Sequence, residues 1–109
     1  MNIIIYSDNI SNLNSKLAHK IDNDLKTWTA KSATDNSTLY YHTTKSEQWE
    51  NDLYLKPFID KDKGTLTFKI TKINGIPLKF ASEFGYLIGR FTQILIVHLS
   101  DYYSKIEIK

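Results

Sequence analysis

The chain has 109 residues, of which 41% are hydrophobic and 13% aromatic, enough to form the single core of one folded domain. Fourteen lysines and arginines nearly match twelve acidic residues, so the net charge of +2 produces no strong field that would attract one class of partner. The absence of cysteine excludes disulfides, thiolate catalysis and cysteine-bound zinc, so burial must hold the fold together.

The chain opens with a strand pattern followed by a helix pattern. Ile3 to Tyr6 form a β-branched run that is ended by Ser7-Asp8-Asn9, and apolar residues then recur at three- and four-residue steps from Ile10 to Leu25. Any of the three polar residues between them can cap the helix. The opening apolar run is too short for a secretion signal, so we expect a cytoplasmic protein.

The middle of the chain has the period of two that is typical of strands. Residues 27–31 and 38–43 flank Asp35-Asn36-Ser37 and predict a hairpin. Residues 53–59 predict a further strand, in which Pro57 favours a sheet edge or a bulge. Residues 65–73 predict the clearest strand, with one apolar face and an opposite face that carries Thr65, Thr67, Lys69 and Thr71.

A long amphipathic helix is predicted to close the chain. The Asn74-Gly75 pair indicates a tight turn, and Pro77 suits the first turn of the helix. Arg90, Gln93 and His98 interrupt its apolar tract, which excludes a membrane span. The predicted core stripe consists of Phe80, Phe84, Leu87, Phe91, Ile94, Leu95, Leu99 and Tyr102.

The predicted order is therefore β-α-β-β-β-β-α, in one domain that covers residues 1–109. Consecutive hairpins imply a mainly antiparallel sheet of four to five strands, and two amphipathic helices need one face of that sheet to cover. We predict a two-layer α+β domain whose other sheet face meets water or a partner.

Two polar residues on the closing helix are candidates for function. Arg90 is the only arginine of the chain, and its planar guanidinium suits a carboxylate or phosphate of a partner. A salt bridge within the chain or a solvated helix face is the alternative, and surface charges favour it. His98 lies on the apolar stripe, where it is either a pH-sensitive or catalytic group or a core histidine bonded to a carbonyl or a tyrosine.

The closing helix also carries a Gly-x-x-x-Gly spacing at Gly85 and Gly89, which lets another backbone approach closely. We expect that backbone to be the first helix or the sheet, which gives a monomer. A homodimer across this groove is the alternative.

Aromatic and basic residues on neighbouring strands form a second candidate surface. Such residues can bind a protein partner, or they can stack on and neutralise single-stranded nucleic acid. The candidates for partner binding on these strands are Tyr40, Tyr41, His42 and Lys69, with Lys56, Phe58, Lys61, Lys63 and Lys72 beside them.

No enzyme motif is present in the sequence. It contains no glycine-rich phosphate loop, no Gly-x-Ser-x-Gly and no zinc-binding helix motif, so no cofactor or metal is implied. A small hydrolase would have to use His98 or His42 with an acid that folding brings close.

The second half of the chain resembles small uncharacterised bacterial proteins whose closing helix carries Gly-Arg-Phe and a later histidine. The resemblance rests on Tyr54 to Pro57, on Tyr86 to Phe91, and on Leu95 and His98. It departs from that pattern at Ile88, where a histidine is expected. The resemblance implies no activity, substrate or cofactor.

From these observations we predict a small cytoplasmic protein-binding module that acts by occupying a partner, as an immunity-type or defence-related accessory protein does. The alternatives are a single-stranded nucleic-acid binder and a histidine-dependent hydrolase.

Overall fold

A computed structural model of the chain describes residues 2–43, 53–78 and 84–109, which form one antiparallel sheet and two helices. The predicted α+β class is confirmed. The strands lie in the order β2-β3-β4-β5-β1-β6. In chain order the elements are β1 (Asn2–Tyr6), α1 (Ile10–Asn23), β2 (Trp28–Ser32), β3 (Thr38–His42), β4 (Tyr54–Asp60), β5 (Thr65–Thr71), α2 (Phe84–Leu99), a short 3₁₀ helix (Ser100–Tyr102) and β6 (Lys105–Ile108).

The sheet has six strands, whereas the sequence predicted four to five. The additional strand is β6, which pairs antiparallel with β1 and places Ile106 opposite Ile5. Backbone hydrogen bonds from Ser104 N to Tyr6 O (2.8 Å) and from Lys109 N to Asn2 O (2.9 Å) continue this pairing beyond both ends of the strand. Because β6 has only four residues, its alternating pattern is too short to stand out in the sequence.

The topology contains a familiar unit extended by one hairpin. Without β2 and β3, the chain runs β1-α1-β4-β5-α2-β6 with the strand order β4-β5-β1-β6, which is the split β-α-β arrangement. The β2–β3 hairpin follows α1 and adds to the sheet beside β4. Residues of this hairpin meet α2, as in the ring contact between Trp28 and Phe91.

The helices pack against one face of the sheet, which we call the helix face. Leu13 and Leu17 of α1 and Phe91 of α2 are fully buried in one cluster with residues of β1, β4 and β5. Phe91 lies 4.6 Å from Phe68, measured between ring centres. The fully buried sheet residues of this cluster are Ile3, Ile5, Leu55, Leu66, Phe68 and Ile70.

The opposite face of the sheet, the open face, is covered at one end. Loops at residues 33–37 and 72–78 fold over it, and they are joined by a hydrogen bond from Thr34 N to Ile73 O (2.9 Å). Beneath them lies a small cluster of Ala33, Leu39 and Tyr54. Thr71 is therefore fully buried, and Thr65 at the other end of β5 is buried as well. Of the four β5 residues predicted to meet water or a partner, only Thr67 and Lys69 are partly exposed.

The predicted turn at Asn74-Gly75 is confirmed, and Gly75 has a φ of +75°. A Cβ atom at Gly75 would lie 2.5 Å from Oδ2 of Asp35, so this turn and the 33–37 loop fit together only with glycine here. The same loops are fixed by Lys56, whose Nζ lies 3.0 Å from the Asp35 carboxylate and 3.2 Å from the Gly75 carbonyl.

The start of the closing helix differs from the prediction. Pro77 does not open the helix: it forms a β-bridge opposite Thr71, and Leu78 N donates to Ile70 O at 2.9 Å. The chain thus continues as a hairpin after the turn. The sequence did not predict this hairpin, because proline is also common in the first turn of a helix. The described part of the helix begins at Phe84, and Phe80 of the predicted stripe lies outside the described residues.

The cap of α1 and the environment of Pro57 are also settled. The Asn9 side chain accepts a hydrogen bond from Asn12 N at 3.1 Å, which makes Asn9 the N-cap.

Pro57 lies on β4, an interior strand, but the registered pairing of β3 with β4 is confined to Tyr40 opposite Leu55. The sheet-edge position that Pro57 favoured is therefore not found, because β3 and β5 lie on either side of β4.

The expected close packing at Gly85 and Gly89 is wrong for the part of the chain that the structure describes. Both glycines are exposed, and a Cβ atom added to either would meet nothing within 4 Å. They lie on the side of α2 that faces away from Phe91 and Leu95, so no described backbone approaches them. Whether the chain is a monomer or a homodimer stays a prediction.

Candidate functional site

A cleft of about 500 Å³ lies between α2 and the end of the β2–β3 hairpin. The cleft brings together three of the residues that the sequence singled out, Arg90, His42 and His98. Its lining consists of Leu25, Thr27, Trp28, His42, Tyr86, Arg90, Gln93, Ile94, Val97 and His98.

The hairpin register supplies the floor of this cleft. Trp28 begins β2 and lies directly opposite His42, the last residue of β3, so both side chains point to the helix face. Their rings meet edge to face with centres 4.8 Å apart, and Trp28 meets Phe91 of α2 in the same way at 5.1 Å. Both Trp28 and His42 are buried, which fixes the floor against the core.

Helix α2 supplies the wall of the cleft. Tyr86, Arg90, Gln93 and Val97 follow one another at steps of four, three and four residues, so they share one side of the helix. Tyr86 is 53% exposed and Val97 is 63% exposed, and the Arg90 side chain lies between them at the surface. The wall therefore presents one cation between two exposed apolar groups.

The electrostatics of the cleft are set by Arg90. None of the ten lining residues is an aspartate or glutamate, and Arg90 forms no ion pair with a carboxylate within the described ranges. The pKa of His42 lies below its ordinary value of 6.5 because the ring is buried and, secondly, because the Arg90 charge opposes its protonation. At neutral pH the cleft thus carries the positive charge of Arg90 over a neutral His42.

This arrangement suits an anion. A guanidinium donates two parallel hydrogen bonds to a carboxylate or phosphate, and the Gln93 amide beside it adds a further donor. The aromatic floor and the exposed Tyr86 and Val97 offer apolar contact around that charge. The cleft is therefore built to take an acidic group that is attached to apolar surface.

The remaining candidates of the sequence lie elsewhere. Tyr40 is buried in the core, where its ring stacks on Phe91 at 6.3 Å, and it does not line the cleft. Burial and, secondly, the charge of Asp22 raise the pKa of Tyr40 to about 12. Tyr41 and Lys69 lie on the open face, since each alternates with a buried residue of the helix face. The single surface expected from Tyr40, Tyr41, His42 and Lys69 does not exist.

His98 differs from the core histidine that its position on the stripe favoured. The side chain is exposed, because α2 ends at Leu99 and the chain then turns through the 3₁₀ helix towards β6. Tyr102, the last residue of the predicted helical stripe, belongs to that 3₁₀ helix instead.

Trp28 and Tyr86 are cleft residues that sequence reasoning missed. A signal for Trp28 was present in the predicted hairpin: its paired residue numbers add to 70, which centres it on Asp35 and sets Trp28 opposite His42. Tyr86 lies one helical turn before Arg90, so the helical spacing alone places it beside the arginine.

Among the cleft residues that the structure describes, two are histidines and none is the carboxylate that the predicted histidine-dependent hydrolase would need within hydrogen-bond reach. In the part of the chain that the structure describes, no group of three or more histidine or acidic side chains is placed to hold a metal ion.

Comparison of the chain with protein-family models, with curated proteins and with solved structures finds no match. Within residues 2–43, 53–78 and 84–109, no helix has the length and apolar character needed to cross a membrane.

Proposed function

We propose that the chain is a small protein-binding module that acts by occupying a partner, and that the partner contacts the cleft and the exposed side of α2. The observation that carries this proposal is the sole arginine of the sequence, exposed in a cleft whose described lining residues include no carboxylate. A carboxylate on the partner accepts both guanidinium hydrogen bonds of Arg90 and offsets its charge.

The types of side chain in the cleft support a protein partner. Tyrosine and arginine are enriched among the residues that carry most of the binding energy in protein interfaces, and exposed Tyr86 and Arg90 lie one helical turn apart on the wall of this cleft. Exposed Val97 extends the apolar part of the surface along α2. An acidic side chain flanked by apolar residues on the partner matches this pattern.

Within this class, we propose an immunity-type or defence-related accessory protein of the cytoplasm. Such a protein needs a stable surface and no catalytic group, which suits a short chain without an enzyme motif. The abundance of isoleucine, lysine and asparagine is in keeping with a bacterial accessory gene. The partner is then a macromolecule whose own activity stops when this cleft is filled.

Copurification with the tagged native chain tests the proposal. The wild-type chain should retain a stable protein partner in conditions that preserve known complexes, and Arg90→Gln should raise the Kd for that partner at least about 30-fold, the effect of losing a hot-spot residue of about 2 kcal/mol. The Kd of Arg90→Lys should lie between those of wild type and Arg90→Gln, because lysine keeps the positive charge but lacks the planar guanidinium that donates two parallel hydrogen bonds.

Lys16→Gln is the matched control, since it removes one positive charge from an exposed position of α1 outside the cleft. It should leave the Kd within twofold of wild type. Recovery of no stable partner, or a partner that binds Arg90→Gln as tightly as wild type, would overturn the proposal.

A further inference from the structure

A second surface lies on the open face, where lysines and aromatic rings alternate across four strands. The Phe58 ring has two lysine neighbours: Nζ of Lys56 lies 5.2 Å and Nζ of Lys69 lies 5.1 Å from its centre. On the other side of the sheet centre, Nζ of Lys105 lies 4.8 Å from the Tyr6 ring centre. A shallow depression of about 500 Å³ runs between the two rings.

Some lysines of this surface have a carboxylate neighbour and others do not. Lys56 and Lys69 lie directly opposite each other on β4 and β5, which places like charges on neighbouring strands. Asp35 lies 3.0 Å from Lys56 and offsets its charge. Lys69 and Lys63, by contrast, form no ion pair with a carboxylate in residues 2–43, 53–78 and 84–109.

The acidic groups of the surface are already engaged within the chain. Glu107 accepts a hydrogen bond from the Tyr6 hydroxyl and lies 3.5 Å from Lys105 and 3.6 Å from Lys109. Asp60 accepts the backbone N–H of Lys63 at 3.1 Å. Asp60 lines the depression and keeps its negative charge, so the cations of the surface that have no carboxylate partner within the described ranges are Lys63 and Lys69.

We infer that this surface binds single-stranded nucleic acid, with phosphates on Lys63 and Lys69 and bases stacked on Phe58 and Tyr6. Strand spacings of about 4.8 Å and a rise of about 3.4 Å per residue place the two rings about 12 Å apart, so they take different bases of one strand. A base reaches Phe58 when the flexible lysine stems turn from the ring to the phosphates.

The residue composition of this surface differs from that of the cleft beside α2 and favours a different class of partner. Protein interfaces are depleted in lysine and enriched in arginine and tryptophan, whereas nucleic-acid surfaces combine cations with exposed aromatic rings. The open-face surface has lysines and rings, and the cleft has the arginine and Trp28. The inference goes beyond the proposed protein-binding function and does not depend on it.

Fluorescence anisotropy with a fluorescein-labelled twelve-residue oligothymidylate, over a range of salt concentrations, tests the inference on the full chain. Wild type should bind with a Kd of about 1–100 µM at physiological salt. Lys63→Gln with Lys69→Gln should weaken binding about tenfold at 50 mM salt and reduce the slope of log K against log salt by about 1.4, the value for two lost single-strand contacts.

The control with the same change of charge is Lys16→Gln with Lys26→Gln, which alters two exposed lysines outside this surface and should change the Kd less than twofold. Phe58→Leu keeps a half-buried apolar side chain but removes the ring, so it should weaken binding about tenfold without changing the salt slope. Arg90→Gln should have no effect, which separates this test from that of the cleft.

Three results would overturn the inference. The first is no binding by wild type at 200 µM protein in low salt, and the second is equal weakening by the two pairs of lysine variants. The third is a glutamate-rich peptide that binds the same lysines more tightly than the oligonucleotide, which would assign the surface to an acidic protein.

Discussion

Phe91→Ala is predicted to remove a large part of the stability of the fold and to loosen the floor of the cleft. Phe91 is fully buried, and its ring touches those of Phe68 at 4.6 Å and Trp28 at 5.1 Å. Truncating a buried phenylalanine costs about 3–5 kcal/mol. That range already contains the lost ring contacts, and two ring pairs worth about 0.5–1.5 kcal/mol each place Phe91→Ala in its upper part, at about 4–5 kcal/mol.

Equilibrium unfolding in urea, followed by far-UV circular dichroism, measures this loss. Tyr86→Ala on the same helix is the matched control, because Tyr86 is 53% exposed and its loss should cost about 1 kcal/mol or less. Phe91→Leu should cost about 1.5 kcal/mol, since it conserves most of the volume but breaks the ring contacts. A loss below 2 kcal/mol for Phe91→Ala would refute the packing described for this core.

The remaining predictions concern an exposed glycine and a carboxylate. Gly89→Ala should raise the unfolding free energy by about 1 kcal/mol and the Tm by about 4–8 °C in calorimetry, because the position is helical and open; a lowered Tm would show that another backbone packs there. Two hydrogen bonds from Ser37 and, next, the contact with Lys56 lower the pKa of Asp35 from 3.8 to about 2. The stabilisation by Asp35 should therefore be complete above pH 3.8 and disappear as the pH falls towards 2, so the urea midpoints of wild type and Asp35→Asn should converge over that interval; a constant difference would contradict the assignment.

The elements that the sequence predicts well are those with a sustained period. The alternation in β5 and the helical stripe through Leu87, Phe91 and Leu95 both continue for several residues, and burial in the structure follows them. Short sequence patterns do not predict the structure where a helix or strand ends and a turn begins. Pro77 is acceptable in both a helix and a β-bridge, and its position after a turn does not distinguish the two.

The cleft could be predicted only in part. Helical spacing relates Arg90 to Tyr86 and His98, and the hairpin register relates Trp28 to His42. The sequence does not predict how the hairpin packs against α2. That packing depends on contacts between residues far apart in sequence, such as Trp28 and Phe91. The exposure of His98 likewise depends on where the helix ends.

The most direct test of the proposed function uses the fact that Arg90 is the only arginine, so the chain has a single arginine Nε–Hε signal in ¹⁵N NMR spectra. Titration with a short peptide that contains two glutamates flanked by leucines should shift this signal and that of the Gln93 amide to saturation, and the matching glutamine peptide should not. An Arg90 signal that stays fixed while amides of α1 shift would contradict the central claim, because the acidic group would then bind outside the cleft.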